Sequence, residues 1–138
     1  MKITVSADVN APLDLVWACW TTPADIMAWN AASDDWHTTQ SEVDLREGGS
    51  FRSRMEAKDG SMGFDFEGTY TRVEPKSLIV AAFGDRSMEV RFEDTADGVT
   101  VTETFDAEDE HPVEMQRDGW QAILDNFKRH TEAKATGQ

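Results

Sequence analysis

Positive charge, cysteine and long apolar runs are all scarce in this chain. Thirteen Lys and Arg stand against 27 Asp and Glu, a formal net charge of −14 at pH 7, and the pI is near 4.4. A nucleic-acid backbone or an anionic lipid surface would repel such a protein, so neither is an expected partner. A basic protein surface is compatible with this charge, and acidity alone also keeps a small domain dissolved. The single cysteine, Cys19, rules out an internal disulfide. It sits in VWACW with no cationic residue close in sequence, so it reads as a buried thiol rather than a nucleophile. No stretch approaches the ~20 apolar residues of a membrane span. The opening MKITVSADV lacks the apolar core of a signal peptide, and cytoplasmic residence is expected. GxxxxGK[ST], GxGxxG and GxSxG are absent, which leaves phosphate-cradling chemistry without support. The three histidines show no i, i+4 pair, so neither a metal nor a cofactor is expected.

The 138 residues fit one domain, large enough to bury a core without staples. Residues 2–9 alternate Ile3, Val5 and Ala7 with polar neighbours, a strand period. Asn10 is then the expected cap of a helix from Pro12 to about Trp20, with Leu13, Val16, Trp17 and Trp20 on one face. Thr22 and Pro23 restart the pattern as a second short helix ending near Trp29. Six strands follow, over 36–47, 51–57, 63–74, 77–83, 87–94 and 99–105, joined at turn signals such as Gly48-Gly49 and Asp59-Gly60. Short turns require antiparallel neighbours. Pro112 opens a last helix running to about Glu132, with a frayed tail from about 133. Strands and helices are segregated, so the class is α+β: a seven-stranded antiparallel sheet covered by one long helix. A rod cannot fill a concave sheet, and space is expected at one end.

This order resembles the SRPBCC superfamily with its START-like helix-grip fold. The pieces NAPLDLVWACWTTPADIMAWN, EVDLREGGSFRSRMEAKDG, GTYTRVEPKSLIV and DGWQAILDNFKRH resemble the branch named after the activator of the heat-shock protein 90 ATPase. The resemblance covers residues 2 to 130. It implies the fold and an internal cavity, and it admits lipid and hormone binders, cyclase-like enzymes and co-chaperone domains. Fold alone does not choose among them.

Strand phase singles out one residue. Val99, Val101, Glu103 and Phe105 share a face on the last strand, and the apolar members set that face inward. Glu103 is therefore expected inside, where a carboxylate needs a partner, a water or a raised pKa. Arg54, His37 and a bound guest are its candidate partners. His37, at the entry to the sheet, is the second catalytic candidate because imidazole exchanges protons near neutral pH. The segment WNAASDDWH joins tryptophans to the acids Asp34 and Asp35, as expected at the mouth of a pocket; one of those acids is expected to cap a turn. Asp65 and Glu67 are expected in solvent if Phe64 and Phe66 face inward, with a bulge at Gly63 as the arrangement that would reverse this.

Trp29, Trp36, Phe64, Phe66, Tyr70 and Trp120 are candidate walls, and Met27, Met55, Met88 and Met115 would make a wall adaptable. Gly119 either lets the long helix approach the sheet or opens room beside it. The ligand-binding set is thus Trp29, Trp36, His37, Met55, Phe64, Phe66, Tyr70, Glu103, Met115, Gly119 and Trp120. The leading expectation is a domain that binds a small hydrophobic ligand, lipid-like or aromatic, without catalysis. The alternatives are a cyclase, hydratase or isomerase using Glu103 as base, and a module contacting a chaperone. A monomer or weak homodimer is expected.

Overall fold

The computed structural model describes residues 1–137. Strand β1 (Lys2–Val9) buries Ile3, Val5 and Val9, as its period-two pattern requires. Helix α1 (Leu13–Thr21) begins after Pro12, which is the cap itself. The Pro12 carbonyl accepts the amides of Leu15 and Val16 at 3.1 and 3.0 Å. Asn10 is therefore not the cap; its amide donates instead to Glu132 Oε2 at 2.9 Å. Helix α2 (Pro23–Trp29) has Pro23 in its first turn and Thr22 at its cap position, as expected.

The remaining strands are β2 (Trp36–Val43), β3 (Ser50–Ala57), β4 (Gly63–Glu74), β5 (Leu78–Phe83), β6 (Arg86–Thr95) and β7 (Gly98–Asp106). β2 ends four residues short of the expected Glu47, because the chain turns back on itself: Arg46 donates to the Asp44 carbonyl and Gly49 to the Arg46 carbonyl, each at 2.9 Å. All pairs are antiparallel, in the order β1-β7-β6-β5-β4-β3-β2. β1 and β2 are thus opposite edges, and α1 and α2 carry the chain between them. Register shifts between Thr38 and Gln40 and between Tyr70 and Arg72 mark bulges, which bend strands and increase twist. No reversal occurs at Gly63: Asp65 and Glu67 are exposed and Tyr70 is buried.

Helix α3 (Val113–Ala135) has 23 residues, roughly 35 Å of rod, and lies across the concave face. Of the tail expected to fray from about 133, residues 133–135 are helical, and Gln138 lies outside the described residues. Lys134 Nζ bonds Asp25 Oδ1 at 2.8 Å, so the last turn is tied to α2. Leu124 and Phe127 enter the core with Val16, Cys19, Trp29, Val90 and Val101. Phe127 meets Trp20 and Trp29 edge-on, with centroids 4.8 and 5.1 Å away. The Trp29 indole N–H donates to the Cys19 carbonyl at 2.9 Å, so that ring is satisfied as well as buried. Emptying this junction removes both area and ring contacts. Phe127→Ala should destabilise the fold by about 3–5 kcal/mol in urea unfolding, with an unchanged m-value.

Candidate functional site

Trp120 of α3 lies flat on Phe105 of β7, centroids 3.8 Å apart and planes within 9°. Toward the N-terminal half of the helix the sheet curves away, and a pocket of about 430 Å³ opens between them. Nine expected residues line it: Trp29, Met55, Phe64, Phe66, Tyr70, Glu103, Met115, Gly119 and Trp120. Phe64 and Met115, 50 % and 60 % exposed, form its rim. Gly119 resolves its two readings in favour of room. A Cβ built there meets nothing within 4 Å. Met88 also lines the pocket, whereas Met27 does not and is partly exposed.

Trp36 and His37 lie outside the lining. Trp36 packs against Phe64, with centroids 5.9 Å apart. His37 is opposite Glu56 on the outer face of the β2–β3 pair, because buried Thr38 takes the inward phase. Arg54 shares that outer face, held by Glu56 at 3.1 Å and Asp65 at 3.5 Å. Neither His37 nor Arg54 can therefore serve Glu103. Asp34 and Asp35 are exposed in the turn before β2, where Ser33 Oγ donates to Asp35.

Glu103 points inward and is 4 % exposed. Its cross-strand neighbours are Val5 on β1 and Val90 on β6, both buried. Val101 and Phe105, also buried, precede and follow it on the same face. This apolar frame supplies no counter-charge, and burial pushes the carboxyl up from 4.5 to about 8. The acid is thus largely protonated at neutral pH, a hydrogen-bond donor and acceptor at the pocket wall.

Several pocket residues were not anticipated. Ser41 enters because the bulge at Thr39 reverses the phase of β2; its Oγ is buried without a partner, and it stands opposite Ser53 on β3. Arg86 lines the pocket with its guanidinium over the Phe83 ring at 4.7 Å and its Nε on the Asp106 carbonyl at 3.1 Å. Glu108 and His111 come from the loop before α3, where His111 Nδ1 lies 2.8 Å from Glu108 Oε1. Gln116 fastens that loop. Its amide accepts from the Glu108 N–H at 2.9 Å and donates to the Glu108 and His111 carbonyls at 3.1 and 2.8 Å. Loop residues carry no period, and no sequence signal placed them.

The buried acid makes stability depend on pH. Below pH 4.5 the carboxyl holds its proton in both folded and unfolded chains. Between 4.5 and about 8 only the folded chain holds it. There the unfolded state binds fewer protons, so stability falls with rising pH by up to about 1.4 kcal/mol per unit. Glu103→Gln has no such proton. Between pH 5 and 8 the wild type should lose on the order of 3 kcal/mol relative to this variant, read by denaturant unfolding. Parallel stability curves would contradict the assignment.

Comparison with known proteins adds the family. The model of the family described as Activator of Hsp90 ATPase homolog 1-like protein matches residues 10–132. The chain is similar to an AHSA1-like protein from Aeromonas hydrophila, solved in solution, at 49 % identity; 99 % of this chain and 94 % of that one align, with a TM-score of 0.90. It is also similar to Chr148 from Cytophaga hutchinsonii at 44 % identity, covering 99 % and 96 %, with a TM-score of 0.83. Protein NE0264 from Nitrosomonas europaea, at 18 % identity, covering 97 % and 96 % with a TM-score of 0.85, shares the fold alone. A search of curated proteins finds no match. With a family match over most of its length and relatives at these identities, the chain belongs to the Activator of Hsp90 ATPase homolog 1-like family, within the helix-grip fold.

Proposed function

We propose that this protein binds a small, mainly apolar guest, lipid-like or aromatic, in the pocket between the sheet and α3, without catalysing a reaction. The observation that carries the reading is Glu103. A carboxyl held among Val5, Val90 and Phe105 costs stability, and a guest that hydrogen-bonds it offsets that cost. The surrounding walls are aromatic and aliphatic, the composition of small-molecule sites. Gly119 supports it too: glycine inside a helix is disfavoured by about 1 kcal/mol against alanine, and here its missing side chain leaves open space.

A second reading, general acid–base catalysis of the cyclase, hydratase or isomerase kind, draws on the carboxyl's pKa of about 8, near working pH. His37 and Arg54 contribute nothing to it from the outer face, and Arg86 is the cation that lines the pocket. The family's description also suggests a contact with a chaperone ATPase. The exposed apolar residues Phe64 and Met115 are the surface that such a contact would use.

The binding reading is tested by native mass spectrometry and ligand-detected NMR with fatty acids, polyketides and flat aromatics. A guest that binds the wild type should be lost in Gly119→Phe, whose ring projects into the pocket, and kept in Gly119→Ala. The alanine variant should be more stable by about 0.5–1 kcal/mol. Equal binding by the wild type and Gly119→Phe, or no guest at all, would overturn the reading.

A further inference from the structure

The only thiol of the chain lies at the junction of the three helices, away from the pocket. Cys19 of α1 is fully buried. The Cys19 Sγ, a carboxylate oxygen of Asp25 and a ring nitrogen of His130 all lie within 4.8 Å of one another. Asp25 comes from α2 and His130 from α3, 105 residues apart in sequence. The absence of cations near Cys19 in the sequence thus does not hold in the fold. His130 Nε2 and Lys134 Nζ each approach Asp25 Oδ1 at 2.8 Å. A further polar group belongs to the cluster. Thr131 is fully buried and neighbours the thiol.

We propose that Cys19, Asp25 and His130 form a binding site for a divalent transition-metal cation, zinc by preference, with Lys134 as the group that occupies it in the metal's absence. One thiolate, one imidazole and one carboxylate are the donors zinc takes in tetrahedral sites. Ligand atoms on such a site stand about 3–4 Å apart, given bonds of about 2.0–2.3 Å, so the present spacing needs only small side-chain movements.

Charge balance supports the exchange. Without metal, the Asp25 carboxylate is neutralised by the Lys134 ammonium, and Cys19 is a neutral thiol. With metal, two positive charges meet the carboxylate and a thiolate; the thiol proton is released and Lys134, already half in solvent, swings out. Both states are neutral, which a buried junction requires. The half-exposed Lys134 side chain also marks the entry path. The other group of this kind, Glu108, Glu110 and His111, is mostly exposed, lacks a thiol and borders the guest pocket instead.

The test is a titration of chelator-treated full-length protein with cobalt(II), followed by competition with zinc. A thiolate-to-cobalt charge-transfer band can come only from Cys19, because the chain has one cysteine. The expected result is that band at one equivalent, with visible bands of tetrahedral intensity, both removed by zinc. Zinc should raise the unfolding temperature, and chelator should reverse the rise. Lys134→Met should tighten cobalt about tenfold by removing the competing ammonium. Cys19→Ser and His130→Gln should each weaken cobalt at least about tenfold, and His111→Gln should leave binding unchanged. Absence of the charge-transfer band in both the wild type and Lys134→Met would overturn the proposal. So would metal binding that is lost in His111→Gln.

Discussion

Trp120 rests on Phe105 ring to ring at 3.8 Å, and that contact sets how closely α3 can approach the sheet. Farther along, Leu124 and Phe127 carry the helix into the core, where it meets Trp20 and Trp29. In the other direction no comparable contact exists. The helix is one continuous rod, and the sheet carries bulges in β2 and β4, which bend strands. The two surfaces therefore diverge, and Gly119 adds nothing to fill the gap. The pocket is a consequence of this geometry. What the chain controls is its depth, through the size of the residues at the divergence, and its mouth, through Gln116 and the loop it fastens.

Within that space Glu103 is the buried acid, a position where packing and chemistry disagree. Its strand neighbours across the ladder are valines, and an apolar residue there would fold more stably. The fold tolerates the acid by keeping it protonated, which removes the larger penalty of a buried charge and leaves a neutral hydrogen-bonding group. The rest of the strong electrostatics lies elsewhere. Arg54, Glu56 and Asp65 form ion pairs on the outer face, and Asp25 is held by His130 and Lys134 at the far helix junction. Glu103 is thus the buried carboxyl of the pocket wall, while Arg86, Glu108 and His111 line it nearer the loop before α3.

Much of this was legible in the residues. The alternation of Val99, Val101 and Phe105 sets the phase that turns Glu103 inward, and the same rule turns Phe66 toward the pocket and Phe64 to its exposed rim, with Asp65 and Glu67 outside. Antiparallel neighbours followed from the short turns and helix placement from the 3.6 period, whereas the pairing of β1 with β7 closes no turn and carried no local signal. The misses have physical causes. Phase fails at a bulge: Ser41 reached the pocket because the ladder slips between Thr38 and Gln40. A histidine at a strand entry shows no side until the strand is paired, whereas Arg54 alternates with Phe51, Ser53 and Met55 and its outward side was readable; both were linked to Glu103 on chemistry alone. Arg86 opens β6 one residue before the expected strand start, and Glu108 and His111 come from a loop, where no period exists to read. The pairing of Asp25 with His130 and Lys134 closes more than a hundred residues of chain. No local pattern could have shown it, and it ties the last turn of α3 to α2.

The central claim is that Glu103 carries a proton inside the fold at neutral pH. It is tested most directly by following the side-chain carboxyl carbon of Glu103 by NMR across a pH titration of the ligand-free protein, with Glu103→Gln to assign the resonance. The account predicts a midpoint near 8, well above the exposed glutamates. A midpoint near 4.5 would show the carboxyl to be solvated or paired, and the account of the pocket would be wrong.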